Sequence, residues 1–91
     1  MINTGGLPGA DLIETGLADL ERGLVSAPAL LVSIGAPRLE SLGLVIPRVE
    51  LDAEHRLYLL LQQEHGHGAH SQYNALVGRL VSFERALACA G

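Results

Sequence analysis

The chain has 91 residues, a formal net charge of −4 at pH 7, and six strong cations that are all arginine. A chain of this length can form one modest core, and an acidic balance argues against nucleic acid as the main partner. No apolar stretch approaches the roughly 20 residues that cross a bilayer, and the N-terminus lacks a secretory pattern, so we expect a cytoplasmic protein with no membrane partner.

The composition favours helices over strands. Hydrophobic residues make up 48% of the chain and are mostly leucine and alanine, whereas aromatic residues make up 3%. Leucine and alanine are good helix formers, while β-branched and aromatic residues favour strands. We therefore predict an all-α fold, a small four-helix bundle-like domain over residues 9–91 with a kinked or split second helix. Residues 1–8 are predicted to form a flexible lead-in.

The first predicted helix runs from about residue 9 to residue 22. Ile13, Leu17 and Leu20 recur on one face, and the opposite face is polar and acidic. This spacing is typical of an amphipathic helix with one solvated side.

The second predicted helix begins at Ser26, whose side chain can cap the first turn. Residues 29–34 are apolar on nearly every side, which predicts deep burial. Pro37 lacks the N–H that a continuing helix needs, so we expect a kink or break near residues 35–36. Gly43 can adopt the left-handed backbone conformation that commonly ends a helix, so we expect this helix to end there.

Residues 43–51 form a connection that is unusually apolar for a loop. It either packs across its own bundle or meets another chain. We favour the first alternative, because most apolar side chains serve the core.

The third predicted helix begins after Asp52, which is a suitable N-cap, with Leu51 placed as a hydrophobic staple. The apolar run over residues 57–61 covers several sides of this helix. It therefore predicts a central helix, which Gly66 and Gly68 bring to an end.

The fourth predicted helix starts near Ser71 and has two apolar faces of different size. Its bulky face carries Tyr73, Leu76, Val77, Leu80, Phe83 and Leu87. Its opposite face carries only small residues, Ala75, Gly78, Ser82, Ala86 and Cys89. Small side chains let another helix approach closely, and two-fold dimers are the commonest oligomers. We predict that this small face is the interface of a homodimer; alternatively, the first or second helix fills it within one chain.

Three histidines, His65, His67 and His70, lie close together in the predicted turn between helices three and four. Imidazole is the commonest metal ligand, so these residues are a candidate zinc or nickel site. Their spacing resembles the His-x-His-x-Asp-His loop of metallo-β-lactamase-like hydrolases, but Ala69 replaces the aspartate and a short helical chain cannot supply the αβ sandwich of that family. We favour the alternative of an exposed turn without metal.

Glu84 interrupts the bulky face of the fourth helix. A carboxylate in an apolar setting must find a partner or take up a proton. Arg56 can reach it if the third and fourth helices are antiparallel, so we predict a buried ion pair between Glu84 and Arg56. The functional alternative is an acid–base pair with Tyr58 or Tyr73 nearby.

One enzyme class has a matching residue count. HEPN-type ribonucleases carry an arginine and a histidine on one helix with four to six residues between them. Arg48 and His55 resemble this pair, since six residues lie between them. However, the predicted cap at Asp52 places Arg48 in the preceding loop.

The chain carries no complete set of catalytic residues. We therefore expect a non-enzymatic interaction or regulatory module that acts through helix packing and self-association, its partner being a second copy or another protein. The alternative is a small metal-binding protein or a HEPN-like ribonuclease that uses the histidine turn or the region of Arg56 and Glu84. No cofactor is expected unless the histidines bind zinc or nickel.

Overall fold

A computed structural model describes residues 6–90 of the protein. Residues 1–5 of the predicted lead-in and the final residue lie outside the described residues. The described part forms four α-helical segments: α1 (Ala10–Glu21), α2 (Ala27–Ser41), α3 (Ala53–His65) and α4 (Ala69–Ala90). No strand occurs in residues 6–90, and no helix in that range is long and apolar enough to cross a bilayer.

The all-α class is confirmed, but a four-helix bundle is not. A 3₁₀ turn (Gly66–Gly68) joins α3 to α4 without any coil residue. The two segments α3 and α4 therefore form one long helical run from residue 53 to residue 90. Counted in this way, the described chain has three helical elements, namely α1, α2 and this run.

Helix α2 lies at the centre of the structure and contacts all three other helices. Its buried residues face every direction around its axis: Ala29, Leu30, Leu31, Val32, Ser33, Gly35, Ala36 and Leu39. The prediction that the third helix is central is therefore wrong, because α3 buries only Ala53, Leu57 and Leu61.

The start of α2 is as predicted, but its interior is not split. The Ser26 hydroxyl accepts a hydrogen bond from the Ala29 N–H at 3.2 Å, which confirms the cap. The helix then continues unbroken through Pro37 to Ser41. A proline inside a helix destabilises that helix by about 3 kcal/mol. In α2, the burial of apolar side chains on all sides of the helix outweighs this loss.

Helix α1 crosses α2 at very short distance at Gly16. A Cβ atom on Gly16 would collide with the carbonyl oxygen of Pro28 and would lie 2.5 Å from Cγ2 of Val32. Only glycine lets the two backbones approach this closely.

Helix α4 has 22 residues, so it is about 33 Å long and extends over most of the 38 Å length of the molecule. Its bulky face points inward as predicted: Leu80, Phe83 and Leu87 are buried, and Tyr73, Leu76 and Val77 pack against the core. An exposed ion pair of 3.2 Å between Arg79 and Asp11 links α4 to the first turn of α1.

Candidate functional site

The connection between α2 and α3, residues 42–52, is anchored by a charged network around Glu50. The Glu50 carboxylate accepts hydrogen bonds from Arg48 Nη2 at 2.6 Å and from Arg56 Nη1 at 3.3 Å, and its side chain is only 9% exposed. The Glu50 N–H donates to Ser33 Oγ at 3.0 Å. The network therefore attaches this loop to both α2 and α3.

Next to this network, Leu51 projects into solvent from a well-supported turn. Arg56 Nη1 donates to the Leu51 carbonyl at 3.2 Å, while the Leu51 side chain is 83% exposed. Asp52 has a φ of 55°, a left-handed conformation that is uncommon for residues other than glycine. Asp52 therefore occupies the predicted N-cap position of α3, but its side chain makes no capping bond. The predicted hydrophobic staple is wrong, because the Leu51 side chain is exposed.

The exposed large hydrophobic side chains gather in one part of the chain. Those among residues 6–90 lie in two interhelical loops or on α3: Leu24, Val25, Val45, Val49, Leu51 and Leu59. We call this set the loop face. Leu44 and Ile46 pack against the core, so the apolar connection both packs on its own chain and leaves side chains free, and neither alternative holds alone.

A small groove lies between the start of α2 and α3, next to Val25 and Leu59 of the loop face. It has a volume of about 260 Å³ and is lined by Val25, Leu30, Arg56, Leu59, Leu60 and Gln63. Leu30 is buried and Val25 and Leu59 are about half exposed, so the groove has an apolar floor between apolar rims. Its volume lies below the roughly 300–1,000 Å³ of small-molecule sites, which suits it to a protruding side chain.

The small face of α4 is open to solvent over most of its length. Ala75, Gly78, Ser82 and Cys89 are exposed and Ala86 is half-buried, and a Cβ on Gly78 would meet no atom within 4 Å. In residues 6–90, neither α1 nor α2 fills this face, so that alternative is wrong. Its role in dimerisation stays a prediction.

The structure does not assemble the predicted metal site. His65, His67 and His70 are exposed and belong to α3, the 3₁₀ turn and α4 respectively. Within residues 6–90, no three histidine, cysteine, aspartate or glutamate side chains lie close enough to hold a metal ion. His70 instead pairs with Asn74 at 3.2 Å.

The predicted pairing of Arg56 with Glu84 is wrong. Arg56 bonds to Glu50, whereas Glu84 faces α2: its Oε2 lies 3.2 Å from where a Cβ on Gly35 would stand. The prediction failed because the Glu84 side chain faces α2, while Arg56 is engaged by Glu50. Partial burial raises the pKa of the Glu84 carboxyl above its ordinary value, and the charge of Arg38 opposes that rise.

Glu84→Gln is expected to raise the free energy of unfolding at neutral pH. Because the pKa of Glu84 is raised in the folded state, this carboxyl contributes favourably to the free energy of unfolding while it is protonated. That contribution is fully present below its ordinary pKa of 4.5 and is lost as the pH rises through the folded-state pKa. Urea denaturation should therefore show a larger advantage of the variant at about pH 7.5 than at about pH 4. Glu64→Gln, which removes one exposed carboxylate from α3, is the control variant; an advantage of Glu84→Gln that grows in acid would contradict the assignment.

The two tyrosines form a structural pair. The rings of Tyr58 and Tyr73 are 5.9 Å apart between centroids and inclined by 63°, an edge-to-face geometry that stabilises packing. Burial raises the pKa of the Tyr73 hydroxyl, and the Glu54 carboxylate raises it further. A phenol that holds its proton this firmly is unsuited to act as a general base at neutral pH.

The HEPN-like arrangement is not present. Arg48 lies in the loop and bonds to Glu50, while His55 lies in the first turn of α3. The two residues therefore do not share a helix, as that resemblance requires.

Sequence reasoning missed Glu50 and Ser33. A carboxylate between the apolar Val49 and Leu51, with Arg48 two residues before it and Arg56 six after, is the signal that could have identified the network. The buried Ser33 hydroxyl donates within its own helix, as serine does in many helices, so its second bond to the loop was not predictable.

Comparison with known proteins adds no family. No family model, curated protein or solved structure matches the chain. Function is therefore inferred from the geometry of the described residues.

Proposed function

We propose that the protein is a non-enzymatic interaction module that acts by associating with a second copy of itself. The loop face is the observation that supports this proposal. Its six large hydrophobic side chains are 43% to 86% exposed, and they lie in two interhelical loops and on one helix. Exposed apolar side chains that form a patch typically mark a site of protein association.

A stable dimer would bury a modest share of the molecular surface. A standard interface buries about 800 Å² on each partner, which is about 15% of the 5307 Å² surface of this chain. The loop face supplies an apolar centre for such an interface, and Arg48 and Arg56 lie within it. Arginine is enriched in protein interfaces.

The small face of α4 is a second surface through which two copies could associate. Helix axes approach to 8–10 Å depending on the side chains between them, and Gly78 offers no side chain at all. Arg79 and Arg85 lie on either side of this face. A second helix seated there is the dimer that the sequence predicts.

Light scattering over a range of protein concentrations tests the proposal. We expect the wild type to have the mass of a dimer; a wild type that stays monomeric at every concentration contradicts self-association. Gly78→Leu places a bulky side chain on the open face of α4 and leaves the fold unchanged, because that position touches nothing. Loss of the dimer in this variant would assign the interface to α4, whereas an unchanged mass would exclude the small face.

A further inference from the structure

We infer that a recess between the middle of α2 and the turn that begins α3 binds a small organic cation, a ligand whose apolar body carries a protonated amine. The recess is formed by Ser33, Ile34 and Pro37 of α2 and by residues 49–55. Its volume of about 600 Å³ lies within the roughly 300–1,000 Å³ of small-molecule sites. The inference goes beyond the proposed function, because a small ligand can bind here whether or not two copies associate.

Apolar side chains form the walls of this recess. Ile34 and Pro37 belong to α2, and Val49 and Leu51 belong to the connection that follows it. Ile34 is half-buried, whereas Val49 and Leu51 are 45% and 83% exposed. An apolar body placed between these walls removes hydrocarbon surface from water on both sides, which favours its binding.

The rim of the recess is acidic. Asp52 and Glu54 line it and are exposed. Among the described residues that line the recess, the one group that can carry a positive charge is the imidazole of His55. The whole chain also has a net charge of −4, and a field of one sign raises the local concentration of ligands of the opposite sign. The charge of the site therefore selects a cation over a neutral or anionic ligand with the same body.

A buried hydroxyl in the recess provides an acceptor for the amine. Ser33 is 5% exposed, donates to the Ala29 carbonyl and accepts the Glu50 N–H, both at 3.0 Å. A hydroxyl oxygen has two lone pairs, so these bonds leave one acceptor position unused. An ammonium group can donate to that position, whereas a carboxylate cannot.

An organic cation fits this site better than a metal ion does. Within residues 6–90, no three histidine, cysteine, aspartate or glutamate side chains lie close enough to hold a metal, so Asp52, Glu54 and His55 do not converge on one point. An ammonium group needs no such convergence, because it interacts with carboxylates through charge and single hydrogen bonds. The apolar walls beside the carboxylates then bind the hydrocarbon part of the same ligand.

Three probes with one apolar body and different charges test the inference: phenylbutylamine, phenylbutanol and phenylbutyrate. Each is titrated into the full chain labelled with ¹⁵N at neutral pH, and the backbone amide signals are followed by NMR. We expect saturable shifts at residues 33–36 and 49–55 with the amine. The amine is also expected to bind at least about tenfold more tightly than phenylbutyrate, since exposed charges contribute a few-fold each.

The double variant Asp52→Asn with Glu54→Gln removes both carboxylates of the rim. Asparagine adopts the left-handed conformation of position 52 as readily as aspartate does, so this turn is retained. The affinity for phenylbutylamine is expected to fall about tenfold, roughly threefold for each carboxylate, while that for phenylbutanol stays unchanged. Glu40→Gln with Glu64→Gln is the matched control, because it removes two exposed carboxylates outside the recess and changes the net charge equally.

Leu51→Ala tests the apolar wall separately. It shortens a side chain that is already exposed, and it is expected to weaken the binding of the amine and the alcohol by the same factor, about threefold. Circular dichroism confirms that every variant is folded. Absence of saturable shifts with the amine, shifts outside the recess, equal affinity for the three probes, or equal losses in the two double variants would each overturn the inference. None of these outcomes bears on self-association, which light scattering measures independently.

Discussion

Gly16→Ala is expected to lower the free energy of unfolding by about 3 kcal/mol, the upper part of the usual range for overpacking a core. The added methyl group would occupy space held by the backbone of Pro28 and the side chain of Val32. A backbone carbonyl inside a helix cannot rotate away, so α1 must move off α2. Urea denaturation followed by circular dichroism measures the change as a lower midpoint with an unchanged slope.

Gly78→Ala is the matched control for this prediction. Both glycines lie inside helices, but a Cβ on Gly78 meets nothing. Alanine is favoured over glycine in a helix by about 0.5–1 kcal/mol, so the control variant should be stabilised. If Gly16→Ala were also stabilising, the close crossing of α1 and α2 would be wrong.

Glu50→Ala is expected to lower the free energy of unfolding by about 2 kcal/mol. Hydrogen bonds to charged groups contribute about 1.5–3 kcal/mol each, but the arginine ends of these bonds are partly solvated, with side-chain exposures of 51% and 38%, which reduces their value. Without the carboxylate, Arg48 and Arg56 lose their shared partner and the loop loses one of its attachments to α3.

Hydrogen exchange and denaturation together measure this effect. The backbone N–H at position 50 should exchange with solvent faster in the variant than in the wild type, because its bond to Ser33 depends on the loop remaining in place. Changing Glu40, an exposed residue near the end of α2, to Ala should alter stability by no more than about 0.5 kcal/mol. Equal effects at the two positions would show that the network around Glu50 contributes nothing specific.

The features predicted correctly from the sequence depend on residues close together in the chain. The inward face of α4 follows from the spacing of Leu80, Phe83 and Leu87, and the start of α2 follows from Ser26 alone. Each is decided within one or two helical turns. Helical periodicity carries that information directly.

The features that could not be predicted depend on which helices meet. Glu84 was assigned to Arg56 on the assumption that its side chain faces α3, whereas it faces Gly35 of α2. Burial of an isolated segment does not reveal its neighbours. For the same reason, the run over residues 57–61 indicated a central α3, although Leu59 is 43% exposed.

The candidate site was only partly predictable. The apolar character of residues 43–51 indicated that the loop matters, but not which side chains face outward. Leu44 and Ile46 are covered by the helices beneath them, and Val45 is not. That alternation depends on the path of the loop over α1 and α2, which the bonds of Glu50 determine.

The central position of α2 has a consequence for the order in which the helices can pack during folding. Its first neighbour, α1, precedes it directly, and the two can close at Gly16 as a local hairpin. The side of α2 around Gly35 is covered by Leu80 and Glu84 of α4, more than forty residues later in the chain. Until α4 has docked, the most apolar helix of the protein has one side in water, and intermediates with such surfaces are prone to aggregate. The helix that forms the core is therefore the last to be fully shielded.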